Sequence, residues 1–138
     1  MRPSRQVDAL AAGLIAALAL AAIPVWNDLP PRMAIHFSGG GTPDGFASRP
    51  VAVFGTAIVG LGAIAVVRAS PRFTLEPMPR RVQDATVLFV GGIFGMVQAI
   101  LLVWNLGFHF DVTLALVPIL LLTLAFVAYV MVARGRVG

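Results

Sequence analysis

The sequence contains no cysteine and no lysine, and few of its residues are charged. Without cysteine the chain can form neither a disulfide nor a thiolate metal site, and nucleophilic thiol chemistry is excluded. Without lysine, all of the side-chain positive charge comes from ten arginines, which together with six acidic residues give a net charge of +4. Apolar residues dominate instead: 59% of the chain is hydrophobic and 12% is charged, with a mean hydropathy of +0.92.

This composition is typical of a membrane protein. A soluble domain usually has about a quarter of its residues charged and about half or fewer apolar. With 138 residues the chain is short for two ordinary domains, so a single membrane domain over residues 1–138 is predicted. An isoelectric point near 11.4 would also suit a nucleic-acid-binding protein. The arginines, however, lie in the gaps between apolar runs and form no basic face, which argues against nucleic acid as a partner.

Four apolar segments predict an all-α integral membrane fold, a bundle of four transmembrane helices. Each segment is close to the roughly 17 to 25 residues that a helix needs to cross the hydrocarbon core, and none contains Asp, Glu, Lys or Arg. The predicted spans are residues 9–26, 51–67, 85–104 and 112–133. The first is interpreted as a retained helix, because Pro24-Val25-Trp26 makes a poor signal-peptide cleavage site.

The arginines predict how these helices are oriented. Cytoplasmic segments next to membrane spans are enriched in Lys and Arg. Eight arginines lie in the N-terminal segment, the second connection and the C-terminal tail, against two in the first connection and none in the third. The prediction is therefore a multi-pass plasma-membrane protein with both termini cytoplasmic, an inner connection at residues 68–84 and an outer loop at residues 27–50.

Residues at the ends of the segments fit this arrangement. Trp26 and Trp104 fall where indole rings prefer the headgroup boundary. Pro50 suits the first turn of the second helix, and Asp111 is placed to cap the fourth. Pro118 predicts a bend inside the fourth span.

Small residues predict where the helices pack, because close backbone approach favours helix association in lipid. Gly91 and Gly95 form a GxxxG pattern in the third span, which would equally suit a homodimer face. Gln98 lies on the same face; an interhelical hydrogen bond is expected there, and a polar point on a substrate path is the alternative. The other predicted small-residue faces are Gly13, Ala17 and Ala21 in the first span and Thr56 and Gly60 in the second.

The outer loop carries the most unusual stretch of the chain, AIHFSGGGTPDGFASRP over residues 34–50. Just before and within it, residues 33–37 alternate with the period of a short strand. The predicted faces are Met33, Ile35 and Phe37 on one side and Ala34 and His36 on the other. Residues 42–45, Thr-Pro-Asp-Gly, fit a type I turn, after which residues 46–48 would return as a second strand. We therefore predict a short β-hairpin over the outer helix ends, with its apolar face on the bundle and His36 facing water.

The residue types in this loop limit its chemistry. Three glycines at residues 39–41 suggest a phosphate cradle, but they lack the strand-to-helix context and the Lys-Ser/Thr that such a cradle needs. No Ser-His-Asp arrangement, paired glutamates or HExxH motif is visible, so an enzyme is not expected and no cofactor is predicted. A zinc or other divalent site is the alternative to a histidine that bonds within its own loop. Its candidate ligands are His36, Asp44, His109 and Asp111, with Asp28 as a further candidate.

His109 stands between two phenylalanines and beside Asp111 in the third connection. We expect it to act as an interfacial anchor in the manner of an aromatic residue. A pH-responsive cluster on the outer face is the alternative, because histidine titrates close to neutrality.

One motif in the outer loop resembles a known family. Leu29-Pro30, Ile35-His36-Phe37 and residues 41–46, followed by Arg49, are similar to the pattern "LP … HF … G-x-PDG … K" of the membrane family called domain of unknown function 1648. In that family the pattern lies between the first two helices, and the domain also forms the N-terminal half of SdpI-like immunity proteins. The positions that match are Pro30, His36, Phe37, Gly41, Pro43, Asp44 and Gly45, and the last six are the candidate ligand-binding residues.

The resemblance implies a function in recognition, because SdpI-like proteins protect cells from a secreted toxic peptide and some relay its presence to a repressor. The expectation is a non-enzymatic protein whose outer loop senses a peptide or an envelope signal, with the lipid bilayer, a partner membrane protein or a second copy as its other partners. One alternative is a small transporter or accessory subunit that uses the glycine-lined bundle and Gln98. The other is a metal-dependent enzyme on the outer face. No charged residue lies within a span, which argues against ion or proton transport.

Overall fold

The structure, a computed structural model, describes residues 3–76 and 78–135. It is mostly helical, with a two-stranded antiparallel sheet between its first two helices. In chain order the elements are α1 (Pro3–Leu20), a 3₁₀ turn (Trp26–Asp28), β1 (Arg32–Phe37), β2 (Pro43–Ser48), a π-helical turn (Val51–Gly55) that continues as α2 (Thr56–Ala69), a second 3₁₀ turn (Ser70–Arg72), α3 (Arg80–Asn105), α4 (Val112–Ala115) and α5 (Val117–Gly135).

Three helical stretches in the described part of the chain are long and apolar enough to cross a membrane. They are Val51–Arg72, Arg80–Asn105 and Val112–Arg134. The shortest has 22 residues, which at about 1.5 Å per residue makes it about 33 Å long, slightly more than the thickness of the hydrocarbon core. These stretches correspond to the second, third and fourth predicted spans and support the membrane class.

The first helix differs from the predicted first span. α1 starts at Pro3 and ends at Leu20, whereas the sequence predicts a span at residues 9–26. The chain turns after Leu20 because Pro24 has no N–H to donate and disfavours helical backbone in the residue before it. Trp26 consequently lies in a 3₁₀ turn and not at the end of a helix. α1 also carries charged residues in its first turns and is not among the three spanning stretches.

α3 lies at the centre of the fold and contacts α1, α2, α5 and β1. The predicted glycine pattern explains its close approach to α1. A Cβ atom added at Gly91 would lie 2.7 Å from the Cβ of Ala11, and one added at Gly95 would lie 2.9 Å from Cδ2 of Leu14. Both glycines of the predicted packing face of the third span therefore lie against α1 of the same chain.

The small-residue face predicted for the first span is wrong. Gly13, Ala17 and Ala21 are exposed, and nothing lies within 4 Å of a Cβ added at Gly13. The residues of this segment that are buried are Ala11, Ile15, Ala19 and Ala22. An alanine-rich helix offers several narrow faces, and contact with the glycines of α3 selects one of them. Gly60 of α2 packs as predicted, since a Cβ there would lie 2.8 Å from the ring of Phe94.

The start of the fourth helical region follows the prediction. Asp111 caps α4, its Oδ1 accepting a hydrogen bond from the backbone N–H three residues later at 3.2 Å. The helix is interrupted at Leu116, because Pro118 cannot donate the hydrogen bond that would join α4 to α5. α5 then packs on α3 through Phe89 and Phe126, whose ring centroids are 4.3 Å apart.

The predicted hairpin is confirmed, but its turn is not where the sequence places it. Gly41 N donates to Ser38 O at 2.8 Å, and Ser38 N donates to Thr42 O at 2.8 Å, so residues 38–41 form the turn. Gly41 has a φ of +78°, a conformation that glycine adopts without steric cost. The predicted turn at residues 42–45 is therefore wrong, and its last three residues belong to β2.

Two irregularities in the strand pairing rearrange the predicted faces. The paired residues are Arg32 with Ser48, Met33 with Ala47, Ala34 with Phe46, His36 with Gly45, and Phe37 with Pro43. Ile35 is thus an extra residue on β1, and Asp44 is an extra residue on β2. Such a bulge shifts the alternation of side chains by one position. Ile35, the extra residue, is exposed and Ala34 is buried, the reverse of the prediction, whereas Met33 is buried and His36 exposed as predicted.

Candidate functional site

His36 and Asp44 form a polar pair on the surface of the hairpin. Nδ1 of His36 lies 2.5 Å from Oδ1 of Asp44, and the two side chains are 72% and 48% exposed. In the tautomer that donates from Nδ1 to the carboxylate, Nε2 carries a lone pair that a ligand can use. Protonation would convert the ring into a cation beside a carboxylate. The pair can therefore present either an acceptor or a charged donor to a ligand in solution.

Glycine at position 45 makes room for this pair. Gly45 lies opposite His36, and a Cβ atom there would be 2.7 Å from the Cβ of His36, too close for two carbon atoms that are not bonded to each other. Pro43 lies opposite Phe37. Within the Pro-Asp-Gly motif, Pro43 and Gly45 are therefore paired with residues of β1. Asp44 is the extra residue between them, and its carboxylate contacts the histidine.

Asn105, the last residue of α3, fixes β1 by hydrogen bonds to its backbone at Ala34. Its side-chain amide bonds to both the N–H and the carbonyl of Ala34, at 2.8 and 2.9 Å. Met33, next to Ala34, is completely buried. The strand that presents His36 is thus held on one edge by the hydrogen bonds of the Asn105 side chain and below by the packing of Met33.

Arg49 and Trp26 hold the base of the hairpin. The guanidinium carbon of Arg49 lies 5.4 Å from the centroid of the Trp26 ring, and its Nε donates to the carbonyl of Pro30 at 3.3 Å. Trp26 also stacks on Phe54, with the ring centroids 5.9 Å apart. Pro30 and Arg49, which lie at the two ends of the motif, are therefore joined where the hairpin leaves the helices.

Trp104 packs against three other rings at the end of α3 that lies next to the hairpin. The rings of Phe37 and Phe110 meet it edge-on at centroid distances of 5.1 and 5.6 Å, and the ring of His109 lies 4.6 Å away. His109 thus belongs to an aromatic cluster, the environment that the anchor hypothesis expects. Phe37 links this cluster to the hairpin.

The predicted metal ligands are not gathered into one group. Across residues 3–76 and 78–135 there is no cluster of three or more His, Asp or Glu side chains that could hold a metal ion. Asp111 is engaged as a helix cap, and His109 packs on Trp104. A structural zinc ion takes four protein ligands, so the pair of His36 and Asp44 does not by itself make such a site.

The six candidate ligand-binding residues divide into two groups. His36 and Asp44 are exposed and polar. The other four shape the hairpin through its turn, its strand pairing or its packing on α3, namely Phe37, Gly41, Pro43 and Gly45.

Gln98 is buried on the face of α3 that carries Gly91 and Gly95, with 2% of its surface exposed. Neither atom of its side-chain amide has a hydrogen-bond partner among the described residues, so the expected interhelical hydrogen bond is absent there. The sequence explains why: α1 carries no polar side chain between Ala9 and Leu20. Thr56 of α2 donates its hydroxyl to its own helix, at Ala52 O.

Sequence reasoning missed a charged cluster at the end of the helices opposite the hairpin. Arg68 of α2 lies 2.6 Å from Asp8 of α1 and 2.6 Å from Asp84 of α3. Its Nη1 also donates to Gln83 at 3.3 Å. The sequence does place these three charged residues next to the first three apolar segments. Helices that alternate in direction bring those segment ends together, so the cluster could have been predicted.

These features define a class of protein: apolar helices of membrane type that carry an anchored β-hairpin between the first two. Residues 12–61 match the model of a family described as domain of unknown function, DUF1648. The matched segment runs from α1 through the hairpin into α2 and includes the whole motif, so the predicted resemblance is confirmed over this segment. No curated protein and no solved structure matches the chain.

Proposed function

We propose that the chain is a non-enzymatic integral membrane protein whose hairpin recognises a peptide or another envelope signal at the outer face of the plasma membrane. In this proposal α1 is a fourth membrane-crossing helix and both termini are cytoplasmic. The 18 residues of α1 extend about 27 Å, a length that includes the charged first turns, and α1 packs along α3. Three crossings would place the two termini on opposite sides, against the distribution of the arginines.

The observation that carries the proposal is an exposed polar pair on a fixed platform. His36 and Asp44 are open to solvent, while Ala34, two residues before His36, is held by Asn105. Binding loses less conformational entropy when the recognising groups are already held in place. A hairpin used for recognition is expected to combine these two properties.

The fold offers a route from the outer hairpin to the inner connection. A ligand that contacts His36 and Asp44 would displace the hairpin as a rigid unit, and the hydrogen bonds of Ala34 would transmit the displacement to Asn105 at the end of α3. Because α3 packs on α1, α2 and α5, a displacement there would alter helix packing as far as residues 68–84. Such a response requires that the ligand bind one arrangement of the helices more tightly than the other.

Single cysteines test the orientation, since the chain has none of its own. Thr42→Cys places a thiol at the tip of the hairpin and Thr74→Cys places one in the inner connection; both threonines are exposed. An impermeant maleimide added to intact cells should label position 42 and spare position 74, while both should react after lysis. Labelling of position 74 alone in intact cells would reverse the proposed orientation.

A deletion strain tests recognition of a toxic peptide, the class of signal that the resemblance to SdpI-like proteins supports. Without the gene, cells should become sensitive to peptides from the spent medium of the parent strain. The wild-type chain and the variant T42A/S48A, which changes two other exposed hairpin residues, should restore resistance, and H36A/D44A should not. Full resistance of the deletion strain would contradict the immunity function.

A further inference from the structure

A polar cleft of about 240 Å³ opens at the end of the bundle opposite the hairpin. Its lining residues are Ser4, Arg5, Asp8, Arg68, Arg80 and Gln83. Half of them are arginines, one each from α1, α2 and the first turn of α3. We propose that this cleft is a binding site for a phosphate group, supplied either by an anionic phospholipid headgroup or by a free phosphate ion.

The charge balance of the cleft favours an anion. Arg68 is paired with two carboxylates, Asp8 and Asp84, so these three groups together carry a charge of −1. Arg5 and Arg80 form no ion pair with an acidic side chain within residues 3–76 and 78–135. Three guanidinium groups and two carboxylates leave a net charge of +1 at this end, and the two arginines without an acidic partner, Arg5 and Arg80, line the same cleft.

The wall of the cleft is built before any ligand arrives. Gln83 is 7% exposed; its Nε2 donates to Val67 O at 2.8 Å, and its Oε1 accepts from Arg68 Nη1. Arg68 also donates to Ser4 O at 3.4 Å. Arg68 and Gln83 therefore fix the spacing of α1, α2 and α3, which carry the cleft. A guanidinium group matches a phosphate through paired N–H donors, so Arg5 and Arg80 suit this ligand better than a halide.

The position of the cleft points to a lipid as the source of the phosphate. Val51–Arg72 ends on this side and Arg80–Asn105 begins there, so the cleft lies where the apolar length of both helices stops. Headgroup phosphates occupy that depth in a bilayer. This choice of source rests on the proposed membrane insertion, whereas the phosphate chemistry of the cleft does not.

Thermal unfolding of the purified full chain in a neutral detergent tests the proposal. The probes are short-chain phosphatidylglycerol, with phosphatidylcholine as the zwitterionic comparison, and sodium phosphate against sodium chloride at equal ionic strength. A ligand that binds only the folded state raises the Tm. If phosphatidylglycerol alone raises it, the site takes a lipid headgroup; if inorganic phosphate does so as well, the site takes the free anion. Either result supports the site, and no rise with either probe would overturn it.

Paired arginine variants show whether binding is local. R5Q/R80Q should weaken binding of the effective probe about twenty-fivefold, from about fivefold for each arginine. The control R72Q/R134Q removes the same charge from exposed positions outside the cleft; Arg134 lines the neighbouring cleft at this end. This control should keep most of the wild-type affinity. Equal losses in the two double variants would mean diffuse attraction and would contradict a discrete site.

Single substitutions keep the test decisive if R5Q/R80Q does not fold. R5Q and R80Q should each weaken binding about fivefold, and R72Q should leave it unchanged. The proposal is wrong if R5Q and R80Q behave like R72Q. These measurements do not involve the hairpin, so their failure would leave the proposed recognition function standing.

Discussion

Asn105 and Ala34 lie 71 residues apart in the sequence and are joined by two hydrogen bonds. The amide oxygen accepts from Ala34 N, and the amide nitrogen donates to Ala34 O. The same nitrogen donates to Leu101 O at 2.8 Å, which holds the side chain against its own helix. The side-chain amide therefore forms the hydrogen bonds to β1 that a neighbouring strand would otherwise form. It also joins the hairpin directly to the end of α3.

Asn105→Ala should destabilise the chain by about 1–3 kcal/mol, because it leaves a part-buried N–H and carbonyl of β1 without partners. The measurement is the free energy of unfolding in detergent. Asn27→Ala is the matched control: Asn27 is exposed, and a surface substitution of this kind should stay within about 0.5 kcal/mol. Equal effects of the two substitutions would show that Asn105 does not hold the hairpin.

Gly45→Ala should lower stability by about 1–3 kcal/mol, because the added methyl group would press on the Cβ of His36 and force the strands apart. The same substitution at Gly39 should be nearly neutral, since nothing lies within 4 Å of a Cβ there. Thermal unfolding of both variants gives the comparison. An unchanged Tm for Gly45→Ala would mean that the close pairing with His36 is not maintained in solution.

Gln98 and Gln83 are two buried glutamines of α3, and leucine substitutions at the two positions should have opposite effects. The amide of Gln98 has no partner in the described chain, so Gln98→Leu should stabilise the fold by about 1–3 kcal/mol. Gln83 bonds to Val67 and Arg68, so Gln83→Leu should cost a similar amount. The changes in the free energy of unfolding of both variants are measured from unfolding curves in the same detergent. A loss of stability in Gln98→Leu would show that its amide is paired in the membrane protein.

Gly91→Ala should cost about 1–3 kcal/mol, because the added methyl group meets Ala11 and pushes α1 away from α3. Gly13→Ala, on α1, should instead raise the stability. Its added methyl group meets nothing, and alanine in place of a helical glycine gains about 0.5–1 kcal/mol. If Gly13→Ala were the more damaging of the two, α1 would pack through its exposed small-residue face and the arrangement of α1 on α3 would be wrong.

Several elements could be predicted from local pattern alone. α3 and the Val112–Arg134 stretch appear near their predicted positions because long apolar runs without charge have few alternatives. Asp111 caps its helix as predicted, since a cap depends only on residues within one turn. The turn of the hairpin was misplaced because two adjacent sequences, Ser-Gly-Gly-Gly and Thr-Pro-Asp-Gly, both suit a turn, and strand pairing decides between them.

The candidate site was predictable only in part. The motif identifies His36 and Asp44, but not the bulges that bring their side chains together. Asn105 gave a faint signal, a single amide after a long apolar run beside Trp104. Arg68 was interpreted as a mark of orientation, and its ion pairs with Asp8 and Asp84 depend on how three helices are rotated about their axes.

From the sequence alone follow a helical membrane class, a polar hairpin between the first two helices and the glycine face of α3, because each depends on apolar length, turn residues or spacing along one segment. The tertiary structure alone decided that α1 packs through Ala11 and not Gly13, that Asn105 holds β1 and that Arg68 joins three helices. It also decided that the Gln98 amide has no partner within residues 3–76 and 78–135. Contacts of this kind depend on the depth and rotation of one helix against another. Those quantities follow from the packing of all side chains at once, and no single segment encodes them.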